Sequence, residues 1–73
     1  MIVDIRDTSN FQKNGILGSI NIPERHIKDN IEHLKTFDNV VFVCYAGTHS
    51  RRLAHLYSKD LKDVRGTNLS EFK

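Results

Sequence analysis

The run Val40-Val41-Phe42-Val43 narrows the folds open to this chain more than any other segment. It is β-branched or aromatic throughout, so it reads as a strand buried on both faces rather than one alternating between core and water. Such strands belong to parallel sheets with helices laid over them. The run closes on Cys44, and the short segment Tyr45-Ala46-Gly47-Thr48-His49 precedes a helical pattern that begins at Ser50. The sulfur therefore stands at a strand–loop–helix junction, where backbone N–H groups and a helix N-terminus converge and favour negative charge. Ligands collect at such junctions in open α/β sheets.

The rest of the chain alternates in the same way. Ile2-Val3-Asp4-Ile5 reads as a short buried strand with Asp4 and Arg6 at its C-terminal end. Thr8 or Ser9 can cap a helical turn through about Lys13. Turns follow at Asn14-Gly15 and Gly18, and Ser19-Ile20-Asn21-Ile22 alternates as a second strand ended by Pro23. Ile27, Ile31 and Leu34 predict one apolar helix face from about Glu24 to about Thr36. Leu53, Leu56, Tyr57 and Leu61 predict a second, from about Ser50 to about Leu61. Val64-Arg65 is read as a short last strand and Gly66-Thr67-Asn68 as a loop. The expected architecture is α/β: three layers, α/β/α, around a small, mainly parallel sheet with right-handed crossovers. Residues 1–73 are expected to form a single domain.

A chain of 73 residues buries only about 60% of the surface its unfolded form exposes, so its stability margin is thin. One cysteine allows neither an internal disulfide nor a paired-cysteine zinc site. No basic, then apolar leader opens the sequence, and no segment has the length of a membrane span, so the cytoplasm is expected, where a thiol stays reduced. The net charge of +2 is mild, and the basic residues neither cluster nor alternate with aromatics, so neither a nucleic-acid nor a membrane partner is expected.

The segment from Cys44 to Ser50 has the composition of an anion-holding loop. Gly47 permits a tight turn that brings N–H groups near a bound anion, Thr48 and Ser50 offer hydroxyls, and Ser50 can cap the helix. Arg51 and Arg52 oppose the helix dipole, a local cost that makes sense beside an anion. Convergent donors would lower the thiol pKa and raise the thiolate fraction. A cysteine ending a buried strand can equally be a small hydrophobe, and spacing alone leaves both readings open.

The segments Ile2-Val3-Asp4-Ile5-Arg6-Asp7, Asn14 to Pro23, and Val40 to Ser50 bear on that choice. The first resembles the Asp-x-Arg strand of rhodanese domains. The second resembles the Gly-His-Ile-Pro-Gly-Ala-x-Asn-Ile-Pro stretch of that family. The third is similar to its strand and active-site loop, Cys-x-x-Gly-x-x-Ser. The order is conserved and the segments span most of the chain. The resemblance implies that Cys44 is a sulfur-accepting nucleophile, with the loop residues Tyr45, Ala46, Gly47, Thr48, His49 and Ser50 cradling a persulfide and Asp4, Arg6 and Arg51 in support. It implies a small anionic sulfur donor such as thiosulfate or a persulfide, a thiol or cyanide as acceptor, a sulfur-relay protein as a further partner, no cofactor, and two-step kinetics. A monomer or weak homodimer is expected.

The chain departs from the family pattern in places. His49 stands where many active members carry arginine, though others lack it, which leaves the donor open. Gly15 replaces the usual histidine. The family's first strand and its Gly-Gly and tryptophan ending are not recognised, so a minimal or trimmed member with an edge strand open to pairing is expected. Asp4 and Arg6 could tune Cys44 or simply fix the loop through an ion pair. His49 could act as acid or base beside the thiol or stand solvated in the loop. His26, His33 and His55 read as surface residues, and no metal site is expected. Tyr57 reads as core. Two other functions compete: a non-catalytic binding or redox-sensing module, and a phosphatase- or arsenate-reductase-like enzyme. The latter would need Cys-x5-Arg, whereas Ser50 occupies that place and Arg51 follows one position late.

Overall fold

Val40–Cys44 is a central strand of a four-stranded, all-parallel sheet, as its double-sided burial requires. The computed structural model describes residues 1–72. In chain order the elements are β1 (Ile2–Asp4), α1 (Thr8–Asn14), β2 (Ile20–Asn21), α2 (Ile31–Leu34), β3 (Val40–Cys44), α3 (Thr48–Leu56) and β4 (Val64–Asn68). Two 3-10 turns, Glu24–His26 and Lys28–Asn30, precede α2, and a third, Leu69–Phe72, follows β4. The strand order is β2-β1-β3-β4. The expected α/β class with its parallel sheet is the fold observed.

Register sorts the side chains. Val3 stands beside Phe42, and that face carries Val40, Phe42 and Ile5 into one apolar cluster with Ile27, Leu34 and Leu53. Phe42, Val40 and Val3 are essentially withdrawn from water, each worth roughly 1.5–3 kcal/mol of transfer free energy. Asp4, Val43 and Thr67 line up across the opposite face, and all are buried. The connection from β1 to β2 runs counter to the next two, so right-handed crossovers set α1 on that second face, opposite α2 and α3.

Several expected boundaries shift. The helix expected from Glu24 to Thr36 is two 3-10 turns and one α-helical turn. Asn30 leaves helical geometry, at φ −113° and ψ 7°, and its amide donates to the His26 carbonyl at 2.8 Å, a local bond that competes with the helix. Ile27, Ile31 and Leu34 are buried nonetheless. The next helix starts at Thr48 and stops at Leu56, not from Ser50 to Leu61. Ser58 Oγ donates back to the His55 carbonyl at 2.9 Å, and a turn then carries Leu61 into the core. Leu53 and Ala54 form the buried face of α3, Tyr57 packs half-buried beyond it, and Leu56 is exposed.

The largest correction concerns Gly66-Thr67-Asn68, which is strand and not loop. β4 pairs with β3 along its whole length, from Val40–Val64 to Cys44–Asn68. Gly66 is there for closeness. A Cβ at this position would fall 2.2 Å from the backbone carbonyl of Ser50, so the missing side chain lets α3 lie directly on β4. His26, His33 and His55 are exposed. Among the described residues no helix is long and apolar enough to cross a membrane.

Candidate active site

The outgoing connections of β1 and β3 run in opposite directions, which makes the gap between their C-terminal ends the switch point where open parallel sheets bind ligands. A cleft of about 560 Å³ lies there. Arg6 and Asp7 reach it from the end of β1, Glu24 and Arg25 from the chain after β2, and Cys44 and His49 from β3 and α3.

Cys44 is the last residue of β3, is 9% exposed and is one of the residues lining the cleft. The chain then turns through Gly47 at φ 88°, a left-handed conformation that costs other residues about 1–2 kcal/mol. This turn aims the Gly47 N–H at Sγ, 3.1 Å away, and starts α3 one residue later. Gly47 therefore caps the helix, in place of the expected Ser50. Ser50 lies within the first turn, fully buried, with its hydroxyl 2.7 Å from the Thr67 carbonyl, 3.0 Å from the Gly47 carbonyl and 3.5 Å from Sγ. Burial pushes the Cys44 thiol up, but the Ser50 hydroxyl and the N–H groups of Ser50, Gly47 and His49 more than offset it, so the pKa is held below that of an ordinary thiol.

Asp4 and Arg6 form an ion pair at the end of β1, and Arg6 lines the cleft with Cys44. Asp4 is wholly buried, and Arg6 forks onto it through Nε and Nη2, the latter at 2.8 Å, while Nη1 donates to Asn14 Oδ1 at 2.9 Å. The Asp4 hydrogen bond raises the Arg6 pKa against the opposing effect of burial, and the charges of Asp4 and the Cys44 thiolate raise it further. Asn21 braces the same strand end, its amide donating to the Asp4 and Arg6 carbonyls, each at 2.9 Å. Arg6→Lys keeps the charge but loses the fork. It should lower stability by about 1–2 kcal/mol in a denaturant titration.

Of the remaining expected residues, Tyr45 and His49 line the cleft, whereas Ala46, Thr48 and Arg51 do not. Tyr45 is 77% exposed, and Ala46 and Thr48 are exposed. His49 is the second residue of α3, not a loop residue, and its Nδ1 lies 2.8 Å from Glu24 Oε1. Arg52 Nη2 lies 3.2 Å from the same nitrogen, so Nδ1 can donate to Glu24 or accept from Arg52 but not both, and the tautomer decides which. Arg52 Nη2 lies 3.6 Å from Glu24 Oε2. Arg51 has no carboxylate partner among the described residues, and its guanidinium packs against Gly47 rather than lining the cleft.

Sequence reasoning missed Glu24, Arg25, Asp7 and Asn21. A signal was present for Glu24 and Arg25: they follow Pro23 at the C-terminal end of β2, the side on which Cys44 also emerges.

A family model described as a rhodanese-like domain matches residues 1–70 of the chain. Among solved structures, the crystal structure of SSP1007 from Staphylococcus saprophyticus subsp. saprophyticus is similar, with a TM-score of 0.80 at 27% sequence identity. The match covers 99% of this chain and 74% of that one. No curated protein gives a significant match.

Proposed function

The chain belongs to the rhodanese-like domain family, and from that membership we propose that it is a sulfurtransferase that carries sulfur as a persulfide on Cys44. In the first step the Cys44 thiolate attacks the outer sulfur of a donor. With thiosulfate, the bond between its two sulfurs breaks, sulfite leaves with the bonding electrons, and Cys44 keeps a persulfide anion. In the second step an acceptor nucleophile takes that sulfur. Cyanide leaves as thiocyanate, or a thiolate leaves as its own persulfide, and the Cys44 thiolate returns. Each half-reaction moves one sulfur without net oxidation, so no cofactor enters.

One observation carries the reading: the Gly47 N–H sits 3.1 Å from Sγ, within a group of donors that holds the thiol pKa low. A buried structural cysteine needs no such donors, and burial alone would raise its pKa. The same donors favour the anion at both ends of the cycle. Asp4, Arg6 and Asn21 hold the strand end, and Gly47, Thr48, His49 and Ser50 shape the cradle around the sulfur. Tyr45 stands at its outer lip. The phosphatase alternative loses support, because Ser50, six residues after Cys44, is buried against Thr67 and Arg51 packs behind Gly47.

Incubation with thiosulfate or an organic persulfide should add one sulfur to the intact mass, located on Cys44 by peptide mapping and released by cyanide. Failure to load from every donor would remove the reading and leave a passive or redox-responsive module.

A further inference from the structure

His49 is tied to the sulfur by its backbone and to a carboxylate by its ring. Its N–H is one of the donors reaching Cys44, and its side chain lines the cleft with Cys44. The ring is set by a residue 25 positions away, in the turn that follows Pro23: Nδ1 lies 2.8 Å from Glu24 Oε1. Arg52 Nη2 lies 3.2 Å from the same nitrogen and 3.6 Å from Glu24 Oε2. The carboxylate is the nearer partner, and the exposed Arg52 can serve its second oxygen instead, so the hydrogen belongs on Nδ1. Nε2, which has no hydrogen-bond partner among the described residues, is then the basic nitrogen. A nucleophilic cysteine, a histidine and a carboxylate that orients it are the parts of a proton-transfer site. Cys44 itself needs no base, because the Ser50 hydroxyl and the loop N–H groups already favour its thiolate. The histidine is left for the other reactant.

We propose that His49, oriented by Glu24, is the general base that deprotonates a thiol acceptor in the second half-reaction. The inference rests on the sulfurtransferase reading and adds a catalytic residue to it. An aliphatic thiol is mostly protonated at neutral pH, and only its thiolate is a good nucleophile. A thiolate arriving from solution would also approach a persulfide anion, like charge on like charge. Entry as the neutral thiol removes both obstacles, provided a base waits in the cleft. Arg6 and Arg25 line the same cleft, each beside its own carboxylate, Asp4 and Asp7. Glu24 and Arg52 are the charged groups in contact with the ring, and Glu24 offsets the imidazolium as it forms.

The step balances. Nε2 takes the S–H proton as the acceptor sulfur attacks the outer sulfur of the Cys44 persulfide. A new sulfur–sulfur bond forms, the old one breaks, and its electron pair returns to Cys44 as the thiolate. The acceptor leaves as a persulfide anion, and the imidazolium releases its proton to water. The reacting groups carry a single negative charge throughout: the persulfide anion before transfer, two sulfur anions and one imidazolium after it.

The test starts from protein already carrying sulfur on Cys44 and follows its loss by intact mass in a single turnover. Two acceptors are compared, 2-mercaptoethanol, which is protonated at neutral pH, and 4-nitrothiophenol, which is already ionised there. His49→Gln keeps a polar side chain but supplies no base. It should slow transfer to mercaptoethanol about a hundredfold relative to nitrothiophenolate, within the range of general-base effects. The deficit should close as pH rises through the pKa of mercaptoethanol, where the acceptor arrives as thiolate unaided. Glu24→Gln, which keeps an acceptor but not the charge, should show the same preference at about tenfold, and it keeps the test alive should His49→Gln fold poorly. Equal slowing of the two acceptors, a deficit that persists at high pH, or no deficit in either variant would overturn the inference alone. Loading from no donor would instead defeat the sulfurtransferase reading.

Discussion

Gly66→Val should lower the stability of the folded protein by about 4 kcal/mol or more, the range reached only when a single change meets rigid structure. A Cβ at this position would lie 2.2 Å from the Ser50 carbonyl carbon and oxygen and 2.4 Å from the Arg51 nitrogen. These are backbone atoms of α3 and cannot rotate away as a side-chain tip would. Relief requires α3 to lift from β4, which exposes Leu53 and Ala54 and breaks the reach of Ser50 Oγ to the Thr67 carbonyl. The loss would consume most of the margin of a small domain, which is only about 5–15 kcal/mol for ordinary folds. In a thermal melt the midpoint should fall by roughly 20 °C, since a domain of this size shifts several degrees per kcal/mol. Gly66→Ala carries the same first carbon and should fail nearly as badly. An alanine variant with an unchanged melt would show that close approach is not what Gly66 provides.

That glycine also shows where sequence reading reached its limit. Within a window of neighbours, Gly66-Thr67-Asn68 has the composition of a turn, and nothing local says otherwise. The strand is imposed by pairing with β3 and by the helix that crosses it, both contacts with distant chain. The break at Asn30 was hidden for the opposite reason. The spacing of Ile27, Ile31 and Leu34 satisfies a helix, and 3-10 turns bury the same residues. Val40–Cys44 was legible because an unbroken β-branched run has few other places to go. The position of Cys44 at a strand end and the turn at Gly47 could be read from local sequence. The partners of the rim could not. Asp7 finds Arg25 across 18 residues and His49 finds Glu24 across 25, separations at which a single sequence carries no pairing signal.

Ser50→Ala should slow alkylation of Cys44 at neutral pH about tenfold, the scale expected when an anion loses one hydrogen-bond donor. The Ser50 hydroxyl owns one hydrogen and faces three acceptors: Sγ at 3.5 Å and the carbonyls of Gly47 and Thr67 at 3.0 and 2.7 Å. While Cys44 is protonated, its S–H can donate to Ser50 Oγ and the hydroxyl can serve Thr67. Once the thiolate forms, the hydroxyl must turn to the sulfur, and the Gly47 N–H remains as a second donor. Alanine removes only the hydroxyl contribution, so the pKa should rise toward that of a free thiol without the cradle collapsing. The thiol pKa is lowered in the fold, so Cys44 adds stability that is fully present above the pKa of the unfolded thiol and lost as pH falls through the folded one. Ser50→Ala should therefore shrink the gain in stability on the alkaline side, beyond a pH-independent loss of about 1–3 kcal/mol from the carbonyls it abandons. The two readouts separate positioning from packing. A residue that only fills space would lower the melt equally at all pH values and leave the pH profile of alkylation in place. A residue that holds the sulfur anion moves the profile toward higher pH, and Ser50→Cys, which returns a weak donor at the same position, should move it part of the way back.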